Sequence, residues 1–168
     1  MKQTQTRYSL QTIRPEFDDA IANIIRQGGI EYGAMGEGFG PSDAEVSAMS
    51  RHYQPEQGSL YRIATIAGQV VGGCGIAPFN GSATVCELRK LFLLPTSRGL
   101  GIGKALALEC LAFGRDQGYQ QCYLDTLKPM TTAIALYQSL GFEHLNQPLD
   151  GTLHDGCDVW MLKQLESE

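Results

Sequence analysis

A glycine-dense stretch between a strand-like run and a helix-like run constrains this chain more than any other feature. Leu91 to Leu94 is apolar, Pro95 ends the run, and Arg98-Gly99-Leu100-Gly101-Ile102-Gly103-Lys104 leads into a long helix-compatible segment. Glycines let backbone approach an anion closely, and the first free N–H groups of a helix point at it, so the arrangement suits phosphate. Spacing sorts the alternatives. A P-loop needs G-x-x-x-x-G-K-[ST]. Counting back from Gly103 and Lys104 puts Arg98 at the first glycine and Ala105 where the magnesium-binding hydroxyl belongs. A dinucleotide fingerprint needs G-x-G-x-x-G, and the chain reads G-x-G-x-G from Gly99. What remains is R-x-x-G-x-G at Arg98, Gly101 and Gly103, set against an ordinary glycine-rich turn.

The flanks decide between those two. Glu87 to Pro95 reads as a strand entering the motif, and Tyr123 to Thr126 as a strand after the helix. Ala133-Ile134-Ala135-Leu136-Tyr137-Gln138-Ser139-Leu140-Gly141-Phe142 follows. In order and content these segments resemble the GCN5-related N-acetyltransferase (GNAT) family, whose pyrophosphate-binding motif is R-x-x-G-x-G and whose later signature is A-x-x-L-Y-x-x-x-G-F. The resemblance covers about Leu60 to Phe142, and the rest of the chain more loosely.

The remaining elements read along the chain as one unit. Arg7 to Ile13 alternates as a first strand. Pro15 opens a helix carrying Phe17, Ala20, Ile21, Ile24 and Ile25, and Gly28-Gly29 is expected to end it. Four glycines between Gly33 and Gly40 deny the next stretch regular structure. Ser42 and Glu45 have capping-box spacing, predicting a second helix to about Tyr53. Leu60–Ala67 and Val70–Phe79 form a hairpin about Gly68-Gln69, and Asn80-Gly81 turns into a strand over 84–94. Gly72, Gly73 and Gly75 point to a bulge or a close backbone approach. Ile102 to Phe113 is apolar nearly all round and is expected to be buried on more than one side. Gln121–Thr126, a helix from Pro129 to Gly141, and strands at 143–147 and 158–162 complete the order. The expected fold class is mixed α/β: a single domain over residues 1–168, with a central mixed, twisted β-sheet and helices on both faces.

Composition excludes several classes. A net charge of −5 counts against a nucleic-acid partner. It suits a cationic acceptor, or it does no more than keep the protein soluble. No apolar run reaches the ~18 residues of a membrane span, so no membrane partner is expected. Met1–Thr6 lacks an apolar leader core, which points to a cytoplasmic address. Cys74, Cys86, Cys110, Cys122 and Cys157 contain no C-x-x-C pair. They read as reduced, buried small residues, with no metal site expected.

The resemblance implies acetyl transfer from acetyl-CoA to an amine acceptor, a small molecule or a peptide, with a homodimer compatible with the family. The alternative is a non-catalytic acyl-CoA-binding sensor. By resemblance, N–H groups over Arg98, Gly99, Leu100, Gly101, Ile102, Gly103 and Lys104 cradle the diphosphate. The backbones of Phe92 and Leu93 pair with the pantetheine arm, and the Leu93 N–H serves as oxyanion donor. Tyr137 is the candidate general acid, or a packing tyrosine. Met130 stands where the family commonly has asparagine, so Thr126 or Thr131 is left to bond the pantetheine.

Glu87 is the candidate base. A carboxylate flanked by Cys86 and Leu88 in a central strand is costly to bury without a purpose, and strand periodicity puts Glu87 on the same sheet face as Leu93. The other reading pairs it with Arg89, Lys90 or a neighbouring strand. His154 is a weaker base candidate, and His52 and His144 have no comparable context. Tyr32, Met35, Glu37 and Phe39 are candidate acceptor-site residues, with Glu31 and Glu37 placed to attract a cation, on a glycine-rich loop able to close over the substrate.

Overall fold

The computed structural model describes residues 7–165, so the Met1–Thr6 segment read for a leader lies outside the described residues. Alternating and apolar runs form strands β1 (Ser9–Thr12), β2 (Leu60–Ile66), β3 (Gln69–Pro78), β4 (Val85–Leu93), β5 (Gln121–Thr126), β6 (Glu143–Leu145) and β7 (Val159–Gln164). They make one mixed sheet in the order β1-β2-β3-β4-β5-β7-β6. Only β4 and β5 run parallel, which requires a crossover, supplied by helix α3 (Ile102–Asp116).

Helices cover both faces. Helix α1 (Asp18–Glu31), a 3₁₀ run over Ala44–Ala48 and the short helix α2 (Met49–His52) lie on one face, where Ile21, Ile25, Val46 and Met49 pack against Tyr61 and Ile63. Helix α3 and helix α4 (Thr131–Ser139) cover the other, where Leu106, Cys110 and Leu111 meet Ile76, Cys86 and Leu124. No described helix is long and apolar enough to cross a membrane. All five cysteines are unbridged, and all but Cys157 are buried.

Several local expectations give way to packing. Gly28-Gly29 does not stop α1. A β-carbon on Gly28 would come within 2.2 Å of the Phe92 ring, so this glycine lets the helix lie close on the sheet and the helix runs on to Glu31. The capping box does not form: Ser42 Oγ accepts the Gly36 N–H at 2.7 Å, and Glu45 is drawn to Lys90 and Tyr53. The expected second helix is therefore a 3₁₀ run and one helical turn. The first hairpin turns at Ala67-Gly68, with Ile66 paired to Gln69. Helix α3 buries a single stripe, Ile102, Gly103, Leu106, Ala107, Cys110, Leu111 and Gly114, and leaves Leu108 46% exposed on the far side.

The feature that shapes the site is a bulge in β4. Gly73 pairs with Phe92 and Gly75 with Arg89, so β4 takes three steps where β3 takes two. Lys90 absorbs the extra residue at φ 53°, a left-handed conformation uncommon outside glycine. The bulge takes the Lys90 carbonyl out of the ladder, and the Tyr61 hydroxyl donates to it at 2.8 Å. Tyr61 reaches it by lying across β3, where β-carbons on Gly73 and Gly75 would come within 2.5 and 2.6 Å of its ring. The glycine cluster in β3 thus marks both a bulge and a close approach. Tyr61→Phe strands a buried carbonyl and is expected to lower stability by about 1–3 kcal/mol, measured by urea denaturation. An unchanged midpoint would show that the hydroxyl does not hold the bulge.

Candidate active site

The bulge changes which side chains share a face, because one added residue reverses strand parity. Leu88, Leu91 and Leu93 pack into the α3/α4 core. Phe92 packs under α1, and Lys90 reaches the 40–48 segment on that same face. Glu87, out of phase with Leu88, shares the α1 face with Arg89. The expectation that Glu87 and Leu93 share a face is therefore wrong, since simple alternation cannot cross Lys90.

Strands β4 and β5 also part company. Their pairing covers only Val85–Glu87 against Gln121–Tyr123, while β5 stays paired with β7 through Thr126. The split exposes backbone. The Leu94 N–H donates to Val71 at 2.8 Å, so by antiparallel alternation the Leu93 N–H and carbonyl face away from β3, into the split. The same alternation turns Phe92 toward β3. Of the two residues expected to offer backbone to the pantetheine arm, Leu93 turns its edge into the split, where Arg98 Nη2 donates to its carbonyl at 3.3 Å.

Three spaces run through the split. A cleft of about 320 Å³ on the α3/α4 side is lined by Leu93, Arg98, Gly101, Gly103, Lys104 and Leu136, among others. It shares Leu91, Phe92 and Met130 with a constriction of about 70 Å³ that also touches Glu87, Thr126, Tyr137 and His154. The constriction shares Glu87, Arg89 and His154 with a chamber of about 380 Å³ on the other side, bounded by Asp43, Glu45 and Phe79.

The first cleft carries the anion-binding geometry. Gly99 and Gly101 take φ of 80° and 82°, which glycine adopts without strain. Gly101 is the N-cap of α3, with no side-chain cap, so the first-turn N–H groups over Ile102–Lys104 are left for a ligand. Gly103 differs: a β-carbon there would make ordinary 3.6 Å contacts with Leu93 and Leu136. Leu100 is 40% exposed and the Lys104 side chain lies on the surface. Arg98 grips Glu31 with two bonds of 2.7 and 2.6 Å, which holds the Glu31 carboxyl below its usual range.

The constriction concentrates charge. Glu87 is 4% exposed. Burial pushes its carboxyl up, with the nearby Asp125 adding to the push, against the lowering influence of Arg89 and His154. Arg89 Nε bonds Glu87. Tyr137 is 7% exposed, its ring lies edge-on to Phe142, and burial pushes its phenol up so that it keeps its proton. Thr126 Oγ1 is 3.2 Å from Met130 Sδ, so the hydroxyl and the residue in the asparagine slot meet at the neck. Thr131 is exposed.

His154 is clamped. Its Nδ1 is 3.0 Å from Asp125 and its Nε2 is 2.8 Å from Asp43. Burial disfavours its charged form, but the hydrogen bonds to Asp125 and Asp43 outweigh that and raise its pKa to about 10. Two carboxylate partners require both ring nitrogens to donate, so His154 is a cation and not a base. Glu87, Asp125 and His154 present potential metal-ligand atoms within 4.8 Å of one another. With the ring nitrogens turned to Asp125 and Asp43, the three form part of a charge cluster. His154's contribution to stability is complete below its unfolded value near 6.5 and is lost as pH rises through about 10.

The acceptor-side expectations need revision. Of Tyr32, Met35, Glu37 and Phe39, only Phe39 lines the constriction, while Tyr32 lines the first cleft. Glu31 is committed to Arg98, and Glu37 is exposed. The carboxylates that face the chamber are Asp43, Glu45 and Glu87. The glycine-rich loop is pinned by bonds such as Ala34 N–H to Gly29 and Gly156 N–H to Gly38. The sequence reading missed Asp43 and Asp125. Asp125, between Leu124 and Thr126 in a central strand, carried the same burial signal as Glu87, whereas Asp43 had no signal beyond its place in an apparent capping box.

Comparison with known proteins agrees with this geometry. Residues 31–142 match the family model of the Acetyltransferase (GNAT) family. The chain is 42% identical over 148 residues to the uncharacterized N-acetyltransferase YjgM of Escherichia coli K12, covering 87% of this chain and 88% of that protein. A GNAT-family acetyltransferase from Staphylococcus aureus Mu50 superposes with a TM-score of 0.81 at 17% identity, covering 95% of this chain and all of that one. The acetyltransferase yncA of Salmonella typhimurium, solved with its cofactor acetyl-CoA, superposes with a TM-score of 0.75 at 19% identity, covering 96% and 95%. A split sheet with a glycine-capped helix at its mouth, together with these matches, makes the chain a member of the GNAT family and an acetyl-CoA-dependent N-acetyltransferase.

Proposed function

We propose that the enzyme acetylates a small primary amine, admitted through the chamber bounded by Asp43, Glu45 and Glu87, by direct attack on the thioester. The observation that carries this reading is a buried carboxyl, Glu87, at the neck joining two open spaces. Acetyl-CoA supplies the activated acyl group. The first-turn N–H groups of α3 bind its diphosphate, with Lys104 adding positive charge, while Arg98 stays committed to Glu31. Leu93 presents its N–H to the thioester oxygen, where negative charge develops during attack.

An amine near neutral pH is mostly protonated and must lose a proton before it can attack. Glu87 takes that proton, directly or through one water. Its raised affinity brings it closer to the amine's own and so suits the transfer. Arg89, bonded to Glu87, fixes the carboxyl's orientation. Tyr137, kept protonated by burial, gives its proton to the departing thiolate, and the second proton, shed by the nitrogen as the amide forms, restores the phenol through solvent.

Glu87→Gln removes the proton acceptor while keeping shape, and should lower kcat/KM by about 10²–10³-fold with acetyl-CoA affinity unchanged by calorimetry. Parental turnover in that variant would exclude Glu87 as the base. Tyr137→Phe should lower kcat by roughly 10–100-fold without changing cofactor Kd; equal rates would return Tyr137 to a packing role. Because burial raises the Glu87 carboxyl, activity should fall as pH drops through a value above the ordinary carboxylate range of about 4. That acid limb should vanish in Glu87→Gln, and its persistence there would assign it to another group.

A further inference from the structure

We propose that His154 is a positioning residue, a fixed cation that fastens the acceptor-side segment to β5 and holds the Glu87 carboxyl in its proton-accepting form. The inference rests on Glu87 as the base.

The geometry comes from three separate parts of the chain. Asp43 lies in the segment between α1 and α2, Asp125 in β5, and His154 in the loop before β7. The His154 ring bridges the two carboxylates at 2.8 and 3.0 Å. Thr152 doubles the attachment: its hydroxyl donates to Asp125 at 2.6 Å and accepts the His154 N–H at 3.2 Å. Beside them the Gly156 N–H bonds the Gly38 carbonyl. The loop thus closes one wall of the acceptor chamber, and His154 is its only ion-pairing residue among the described residues.

The third carboxylate is the one that matters for chemistry. His154 Nδ1 is 3.9 Å from Glu87 Oε2, a range at which a cation favours the ionised form. Asp43, Asp125 and Glu87 face the ring directly; Arg89 and Lys90 from β4, Glu45 from the 40–48 segment and Cys157 from its own loop line the same two spaces, and Tyr123 of β5 bonds Asp125. Four carboxylates (Asp43, Glu45, Glu87, Asp125) face three cations (Arg89, Lys90, His154), leaving one net negative charge. Removing His154 leaves two, and Glu87 then binds its proton more tightly.

The test is the pH profile of kcat/KM for the best-turned-over member of a panel of small primary amines, with acetyl-CoA Kd measured alongside as a check on folding. His154→Gln should move the acid limb up by about one pH unit and raise acceptor KM several-fold, with cofactor Kd unchanged. His154→Lys, which restores a cation, should return the limb toward the parental position. Asp43→Asn keeps the charge of His154 beside Glu87 but cuts the tether. It should raise acceptor KM without moving the limb upward, and it carries the test if His154→Gln fails to fold. A limb unmoved in His154→Gln, or moved equally by Asp43→Asn, overturns the proposal. If Glu87→Gln retains parental turnover, the base assignment has failed instead. If Glu87→Gln is inactive while the His154→Gln limb stays in place, only the role of His154 has failed.

Discussion

The face that β4 presents on either side of the bulge depends on one residue's backbone. Lys90 sits at positive φ without being glycine, a conformation that persists only where the surroundings over-determine it. Here they do. Tyr61 caps the freed carbonyl, Gly73 and Gly75 make room for Tyr61, and the Lys90 ammonium is held by Asp43 and Glu45. Beyond Glu87, β4 has no pairing with β5. A continuous sheet would have no internal free edge, and the split gives it one, at the place where the N-terminus of α3 points.

The same residue links backbone geometry to charge. Burial alone would push the Lys90 ammonium toward neutrality, but Tyr53, Glu45 and Asp43 outweigh that and hold it charged. Arg89 is likewise held charged chiefly by Glu87, against burial. The reaction centre is therefore built of groups that each need a partner, and losing one partner of a buried pair costs more than the pair itself contributes. Burial pushes the Glu87 carboxyl upward, whereas Asp43 is drawn down by His154 and Lys90 against burial, and that contrast supports the proposal of Glu87 as the proton acceptor.

Much of this was legible from residue order. The helix opening at Ile102, the strand at Gln121–Thr126 and the cost of placing Glu87 between apolar neighbours all follow from local pattern, and the structure has them. The face carrying Glu87 was not legible. Period-two alternation has no term for an inserted residue, and the bulge announces itself only through glycines on the neighbouring strand. Gly28-Gly29 looked like a stop because the Phe92 ring that demands Gly28 lies more than sixty positions away. Ser42 and Glu45 looked like a cap because the partners that claim Glu45, Tyr53 and Lys90, are set by tertiary packing. His154 looked solvated for the same reason: Asp43 is 111 positions distant.

The Arg98–Glu31 bond has a consequence for discrimination between anions. Because the guanidinium is already neutralised by a carboxylate and rests 5.9 Å from the Tyr32 ring, it adds little to the positive field that would collect inorganic phosphate or free nucleotides indiscriminately. Attraction at long range is muted, and retention falls to short-range fit along the exposed amides. On the proposed reading, a ligand long enough to run from the helix tip to the neck satisfies them all, and a compact anion satisfies only the first.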